Sequence, residues 1–235
     1  MIKILNIETS TDICSVSVFE NQECKALKIS GNDRSHSKLL GVFVQEILSE
    51  TKLKPADFNA VAISSGPGSY TGLRIGTSLA KGFCYGANIP LIAVNTLKLM
   101  AYMAIKKYKD SDENRLIIPM IDAKRQEVYN AVFDNELNII SDTNALILEK
   151  KSFEKYENKK LIICGNGSDK CKEIVYGKNI EYLEGVFPSA ELMGFFAMDL
   201  YNKKDFVDTA YFEPLYLKDF IATIPKNKVL NIKKQ

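Results

Sequence analysis

The residues Gly66-Pro67-Gly68-Ser69-Tyr70-Thr71-Gly72-Leu73-Arg74-Ile75-Gly76 form the stretch of this 235-residue chain best suited to chemistry. It follows the apolar run Ala60 to Ser64 and opens a helical one, so free amides at the helix start could receive an anion. The same residues also suit a tight turn in which glycine supplies positive φ, and the two readings weigh evenly on physical grounds. The stretch is neither a Walker A loop, lacking GK[ST], nor GxGxxG, and the chain has no GxSxG elbow. A second glycine loop, Gly165-Asn166-Gly167-Ser168-Asp169, follows the apolar run Leu161 to Cys164. Two carboxylates end strand-like runs: Glu8, followed by Thr9 and Ser10, and Asp122. They could coordinate Mg²⁺ in a cleft. They serve equally as caps of strand ends, and that reading is preferred.

The single histidine, His36, excludes the HxxxH and HExxH metal pairs, so no histidine metal site is expected. It opens the first helix, where a solvent-exposed helix-start residue is expected, and no motif supports a Ser-His nucleophile pair. The five cysteines, at 14, 24, 84, 164 and 171, never form CxxC and sit mostly in apolar runs; they read as small buried hydrophobes in a reduced, cytoplasmic chain. Lys plus Arg number 31 against 29 Asp plus Glu, a net +2 spread along the chain, so any nucleic-acid role must be shared with a partner. With 46% hydrophobic and 26% charged residues the chain can bury a core, which excludes disorder. No signal segment or membrane span is expected, because no apolar run approaches the roughly 18 residues of a span.

The elements that must position these residues follow from apolar periodicity. Ile2 to Ile7, Ile13 to Val18 and Glu23 to Ile29 predict a three-strand meander. Leu39, Leu40, Phe43, Ile47 and Leu48 recur at helical spacing between Ser37 and Thr51, with Ser35 or Ser37 as cap. A strand at Ala60 to Ser64, a helix from Thr71 to Gly86, a strand at Leu91 to Val94 and a helix from Thr96 to Lys107 complete the first half. The solvated run from Lys106 to Arg115 places a boundary, giving subdomains 1–107 and 108–235, the second with a basic tail. Beyond it, strands are expected at Leu116 to Asp122, Val128 to Phe133, Asn138 to Leu148 and Leu161 to Cys164, with a short helix around Ser152 to Tyr156. A helix, a strand and a last helix ending near Tyr201 follow.

Ile4, Ile7, Glu8, Val18 and Phe19 match Ile118, Ile121, Asp122, Val132 and Phe133 at an offset of 114. Ile63, Gly66, Gly68 and Ser69 match Ile162, Gly165, Gly167 and Ser168 at an offset of 99, so the halves read as a duplication, the second shorter between these points. Two βββαβα lobes packed face to face leave a cleft lined by the turn after strand one and the glycine loop of each. The arrangement resembles the actin, Hsp70 and sugar-kinase superfamily: an α/β, duplicated actin-like ATPase fold of ribonuclease H-like type. In that superfamily the cleft binds a nucleotide.

As a string, GPGSYTGLRIG, with the opening ILNIETSTDICSVSV, the later PMIDAKRQEVYNAVF and the C-terminal EPLYLK, resembles the TsaB (YeaZ) family. That family supplies the small subunit of the bacterial tRNA threonylcarbamoyladenosine machinery, and the likeness runs from Met1 to about Lys218. It implies a non-catalytic scaffold needed to place threonylcarbamoyl on the adenosine next to the anticodon, position 37. Its partners would be a metal-bearing catalytic paralogue of TsaD type, a TsaE-type ATPase through the complex, and tRNA indirectly. The paralogue's HxxxH pair corresponds to Asn95-Thr96-Leu97-Lys98-Leu99-Met100, which holds no metal ligand. With no P-loop lysine and a mismatched second loop, ATP or ADP with Mg²⁺ is expected only weakly or at the partner interface. The alternative is a stand-alone enzyme of the superfamily, a small-molecule kinase or a peptidase acting on the paralogue.

Gly72, Gly76 and Ala80 form a stripe without side-chain bulk, flanked by Leu73, Leu79 and Phe83, while the first helix offers Leu39, Leu40, Phe43 and Ile47. Either both helices simply cover their own sheet, or, the reading favoured, they pair with the paralogue as a four-helix bundle and with a second copy when alone. Gly76→Leu would then block pairing and leave the melt unchanged. The tail from Pro225 to Gln235 carries four lysines that could touch tRNA phosphates; a solvated tail is the preferred reading.

Overall fold

The computed structural model describes residues 1–30, 36–108 and 114–218. Its first half runs β1 (Lys3–Glu8), β2 (Ser15–Glu20), β3 (Glu23–Ile29), α1 (His36–Thr51), β4 (Ala60–Ser64), α2 (Tyr70–Ala87), β5 (Leu91–Val94) and α3 (Thr96–Lys107). The second runs β6 (Arg115–Asp122), β7 (Glu127–Phe133), β8 (Ile139–Ile147), β9 (Lys160–Cys164), α4 (Ser168–Ile174), β10 (Ile180–Leu183) and α5 (Ala190–Asn202). The expected elements are all present, within about two residues at most ends.

Each half builds one five-stranded mixed sheet, ordered β3-β2-β1-β4-β5 and β8-β7-β6-β9-β10. The first three strands of each are antiparallel neighbours and the last two add in parallel, with Ile7 beside Ile63 in one sheet and Ile118 beside Ile163 in the other. This identity of strand order establishes the duplicated actin-like α/β fold. Where α1 separates β3 from β4, only a single helical turn, Glu154–Tyr156, separates β8 from β9, which accounts for the shorter second copy.

Alternation along the strands sends successive side chains to opposite faces. Leu5 and Ile7 of β1 join Leu40, Val44 and Ile47 of α1 and Ala80 and Cys84 of α2 on one face. Ile4 and Phe19 join Met193, Ala197 and Met198 of α5 on the other. In the second sheet, Ile117, Ile121, Ala131 and Phe133 pack on Leu97, Met100, Ala101 and Ala104 of α3. The last helix of each half therefore covers the sheet of the other half. A cut at 107/108 separates the two sheets but leaves each without one of its layers. Residues 109–113 of the connector and the tail from 219 onward lie outside the described residues, as does Ser35.

Ser15 and Ser17, which interleave the apolar residues of β2, are fully buried and hold the start of α5. Ala190 donates its amide to Ser15 Oγ at 2.9 Å, and Ser17 Oγ donates to the Ala190 carbonyl at 2.8 Å. One turn further on, Gly194 lies against the ring of Phe19 so closely that a Cβ there would fall inside 3.0 Å of three ring atoms. Gly194→Ala is expected to lower stability by about 1–3 kcal/mol through overpacking, read as a lower midpoint in thermal or urea unfolding. Wild-type stability would show that α5 can stand off from Phe19.

Candidate functional site

Strands β1, β4 and β5 end at one edge of the first sheet, and the turn after β1 is fixed there by its own polar groups. Ser10 donates its amide to Glu8 Oε1 at 2.6 Å, and Ser69 donates its amide to the Ser10 carbonyl at 2.7 Å. Asp122 repeats the device in the second lobe, accepting the Lys124 amide at 2.6 Å. Both carboxylates thus cap the turn after their own strand, two residues on.

Their surroundings differ. Glu8 has 0% of its surface exposed, and its second oxygen has no hydrogen-bond partner. Burial pushes its carboxyl above the usual range, outweighing the hydrogen bonds from Ser10. Burial acts upward on Asp122 too, but Lys170 Nζ at 2.5 Å and the Lys124 amide prevail and hold it below the usual range. Neither carboxylate fits a shared Mg²⁺ with nucleotide in the cleft, because Glu8 is closed off from solvent and Asp122 is paired with Lys170. Among the described residues no group of three His, Cys, Asp or Glu side chains is placed to hold a metal ion.

The GPG loop is held on several sides. Gly66 has φ 91° and its peptide bond to Pro67 is cis. Thr96 donates its amide to the Gly66 carbonyl at 3.0 Å, and a Cβ on Gly66 would stand 3.0 Å from the Leu215 carbonyl oxygen. Gly68 lies against Ser10. The helix start is capped from within, Ser69 Oγ accepting the Gly72 amide at 3.2 Å. In the second loop Gly165, at φ 95°, lies against Met120 and Met100, and Gly167 against Met120, Ile121 and Val128. These glycines are explained by close backbone approach at both strand edges.

The small-residue stripe of α2 faces inward, contrary to the expectation. A Cβ on Gly72 would meet the Thr9 carbonyl, and one on Gly76 would meet Thr9 Oγ1, both inside 3.0 Å. Leu73, Ala80, Leu40 and Ile47 are likewise buried in the chain's own core, while Leu39, Phe43, Leu79 and Phe83 remain partly exposed. An apolar stripe marks the side turned to the sheet, and that side is not available to a partner. The outward face instead carries Gly41, Gly82 and Gly86, where an added Cβ meets nothing within 4 Å. Val42, 44% exposed, follows Gly41 and Tyr85, 88% exposed, precedes Gly86, whereas the partly exposed Ile75, Leu79 and Phe43 pack against the inner core. Sequence reasoning missed this second set, although the four-residue spacing of Gly82 and Gly86 was its signal.

His36 is also corrected: it is buried, 8% exposed, not solvent-facing. Its spacing to Leu40, Val44 and Ile47 puts all of them on the inward side of α1. Cys14, Cys84, Cys164 and Cys171 are buried, and burial pushes the first three thiols up to about 12, so they are inert at neutral pH. Between the lobes, Thr11, Asp12 and Ile13 of the first turn and Asn166 of the second glycine loop line a cavity of about 260 Å³, together with Met100 and Phe187. No helix among the described residues is long and apolar enough to cross a membrane.

This geometry can be set beside known proteins. Residues 30–226 match the family described as "TsaD: tRNA N6-adenosine threonylcarbamoyltransferase". The "tRNA threonylcarbamoyladenosine biosynthesis protein TsaB" of Escherichia coli K12 is 30% identical over 94% of this chain and 96% of its own length. The chain belongs to the TsaB branch of the TsaD family. The TsaB of Buchnera aphidicola from Acyrthosiphon pisum is 37% identical over 67% of this chain and 70% of its own. In fold, "YeaZ from Pseudomonas aeruginosa" superposes with a TM-score of 0.79 at 23% identity, covering 92% of this chain and all of that one. As a TsaB-family chain it carries, at the start of α3, Asn95 capping the Lys98 amide at 2.9 Å and Leu97 and Met100 buried in the second core.

Two outcomes follow from the site. Gly76→Leu is expected to lower the unfolding midpoint, by about 1–3 kcal/mol or more, since Thr9 occupies the space the side chain needs; an unchanged melt would refute the inward assignment. For Glu8, a folded-state carboxyl raised above its unfolded value contributes stability that is present at low pH and lost as pH rises through the folded value. Glu8→Gln is therefore expected to unfold at higher urea than the parent at pH 8, by about 1–3 kcal/mol, with the gap shrinking toward pH 4. An equal gap at both values would mean that Glu8 does not change its protonation between them, and would refute the predicted pH dependence.

Proposed function

We propose that this chain is a non-catalytic subunit of tRNA threonylcarbamoyladenosine synthesis, needed for threonylcarbamoyl transfer to adenosine 37. The observation that carries the reading is the end-to-end likeness to TsaB of Escherichia coli. The chemistry of the cleft agrees with a scaffold: each carboxylate caps its own turn with one oxygen, Glu8 is sealed from solvent, and the GPG loop is fastened by the chain's own backbone.

The partner is a TsaD-type catalytic paralogue, seated on the outward face of α1 and α2. Gly82 and Gly86, one turn apart on α2, let a helix backbone come close there, and the exposed Val42 of α1 and Tyr85 of α2 supply apolar area. In the paralogue's absence a second copy of this chain takes the same face. A TsaE-type ATPase joins through the complex, and tRNA is reached through the partner, consistent with the net charge of +2. The five unpaired cysteines suit a reducing compartment, and we place the protein in the cytoplasm.

Two experiments test this. Depleting the protein is expected to lower threonylcarbamoyladenosine in bulk tRNA, measured by mass spectrometry of nucleosides; an unchanged level overturns the function. Gly82→Arg is expected to abolish co-purification with the paralogue while holding or raising the melting temperature, because replacing a mid-helix glycine adds about 1 kcal/mol of helix propensity. Retained co-purification would move the interface elsewhere.

A further inference from the structure

The duplication makes the cleft approximately two-fold, so each lobe's turn should face the other lobe's glycine loop, giving two equivalent crevices. One of them is the open cavity between Thr11–Ile13 and Asn166. By the offsets of 114 and 99 residues, its counterpart lies between residues 125–127 and Pro67 of the GPG loop, next to Ser65 and Gly66. That second crevice is bridged by the chain's own C-terminal segment. Beyond α5 the chain pairs Val207 with Leu91 at the sheet edge, and Lys81 donates to the Ala210 carbonyl. Pro214 is then buried, and Leu215 donates its amide to the Ser65 carbonyl at 2.8 Å. The Tyr216 ring lies 4.8 Å from that of Tyr70 at the start of α2. Lys218 finally reaches the other lobe, where its ammonium pairs with Glu127 and donates to the Ala123 carbonyl at 3.2 Å.

We propose that Pro214–Lys218 is a built-in occupant of the second crevice, a clasp from Ser65 to Glu127 that sets the angle between the two lobes and with it the width of the open crevice. The segment has the make-up of a clasp. At one end it is held by a backbone hydrogen bond to the Ser65 carbonyl, beside Gly66, where a Cβ would stand 3.0 Å from the Leu215 carbonyl oxygen. At the other end it is held by an ion pair whose two side chains are 32% and 21% exposed, more sheltered than most surface pairs and so less screened by solvent. Among the described residues, that pair is the one ion pair joining the C-terminal segment to the second lobe.

The test uses the full chain with spin labels at Gln22→Cys and Lys150→Cys, exposed positions on the two lobes, in a Cys24→Ser background. Electron–electron double resonance is expected to show the interlobe distance shifted and broadened in Lys218→Met and in Glu127→Gln. The charge-exchanged pair, Lys218→Glu with Glu127→Lys, is expected to bring it back toward the parent. Circular dichroism melts on the same samples separate loss of the clasp from loss of fold. A distance distribution unchanged in both single variants, or one that shifts but is not recovered by the exchanged pair, overturns the proposal.

Discussion

A sheet whose strands are apolar on both faces needs a layer on each side, and in this chain one layer of each sheet comes from the other half. α5 lies on the first sheet and α3 on the second. This exchange ties the lobes together through two buried layers. It also explains two features that otherwise look local. Ser15 and Ser17 are buried because their hydroxyls receive the backbone of Ala190 on the face of β2, and Gly194 lacks a side chain because Phe19 stands in its place.

The second constraint is the approach of α2 to the turn after β1. Gly72 and Gly76 let the helix descend onto Thr9, while Ser69 caps its first turn and Ser10 holds the preceding loop. With the inward side so used, α2 offers a partner only its opposite face, where Gly82 and Gly86 are open. The two sets of glycines do different physical work on one helix: the inward pair permits packing within the chain, the outward pair leaves space that a second backbone can fill.

The cleft shows how a duplicated frame becomes asymmetric. Glu8 and Asp122 hold equivalent places and make the same turn cap, yet one is sealed from solvent and the other paired with Lys170. One crevice is open and its counterpart is crossed by Pro214–Lys218. The frame is common to both lobes, and the difference lies in what each turn's carboxylate meets: a sealed interior for Glu8 and the Lys170 ammonium for Asp122.

Much of this was legible in the amino-acid order. Period-two and period-3.6 apolar patterns placed the strands and helices, because burial of one face depends only on spacing. The repeated offsets gave the duplication, and the motif string gave the family. What the order could not give was which face of a helix meets which neighbour. The stripe Gly72, Gly76, Ala80 is the same string whether it receives a partner helix or Thr9, and His36 is the same residue whether it begins α1 in solvent or on the inward side. Nor does spacing reveal that α3 and α5 trade sheets, or that Lys218 reaches Glu127 from far along the chain. Local pattern fixes which elements form, since that energy is local; which surfaces are left over for function is decided only when every element competes for the same two sheets.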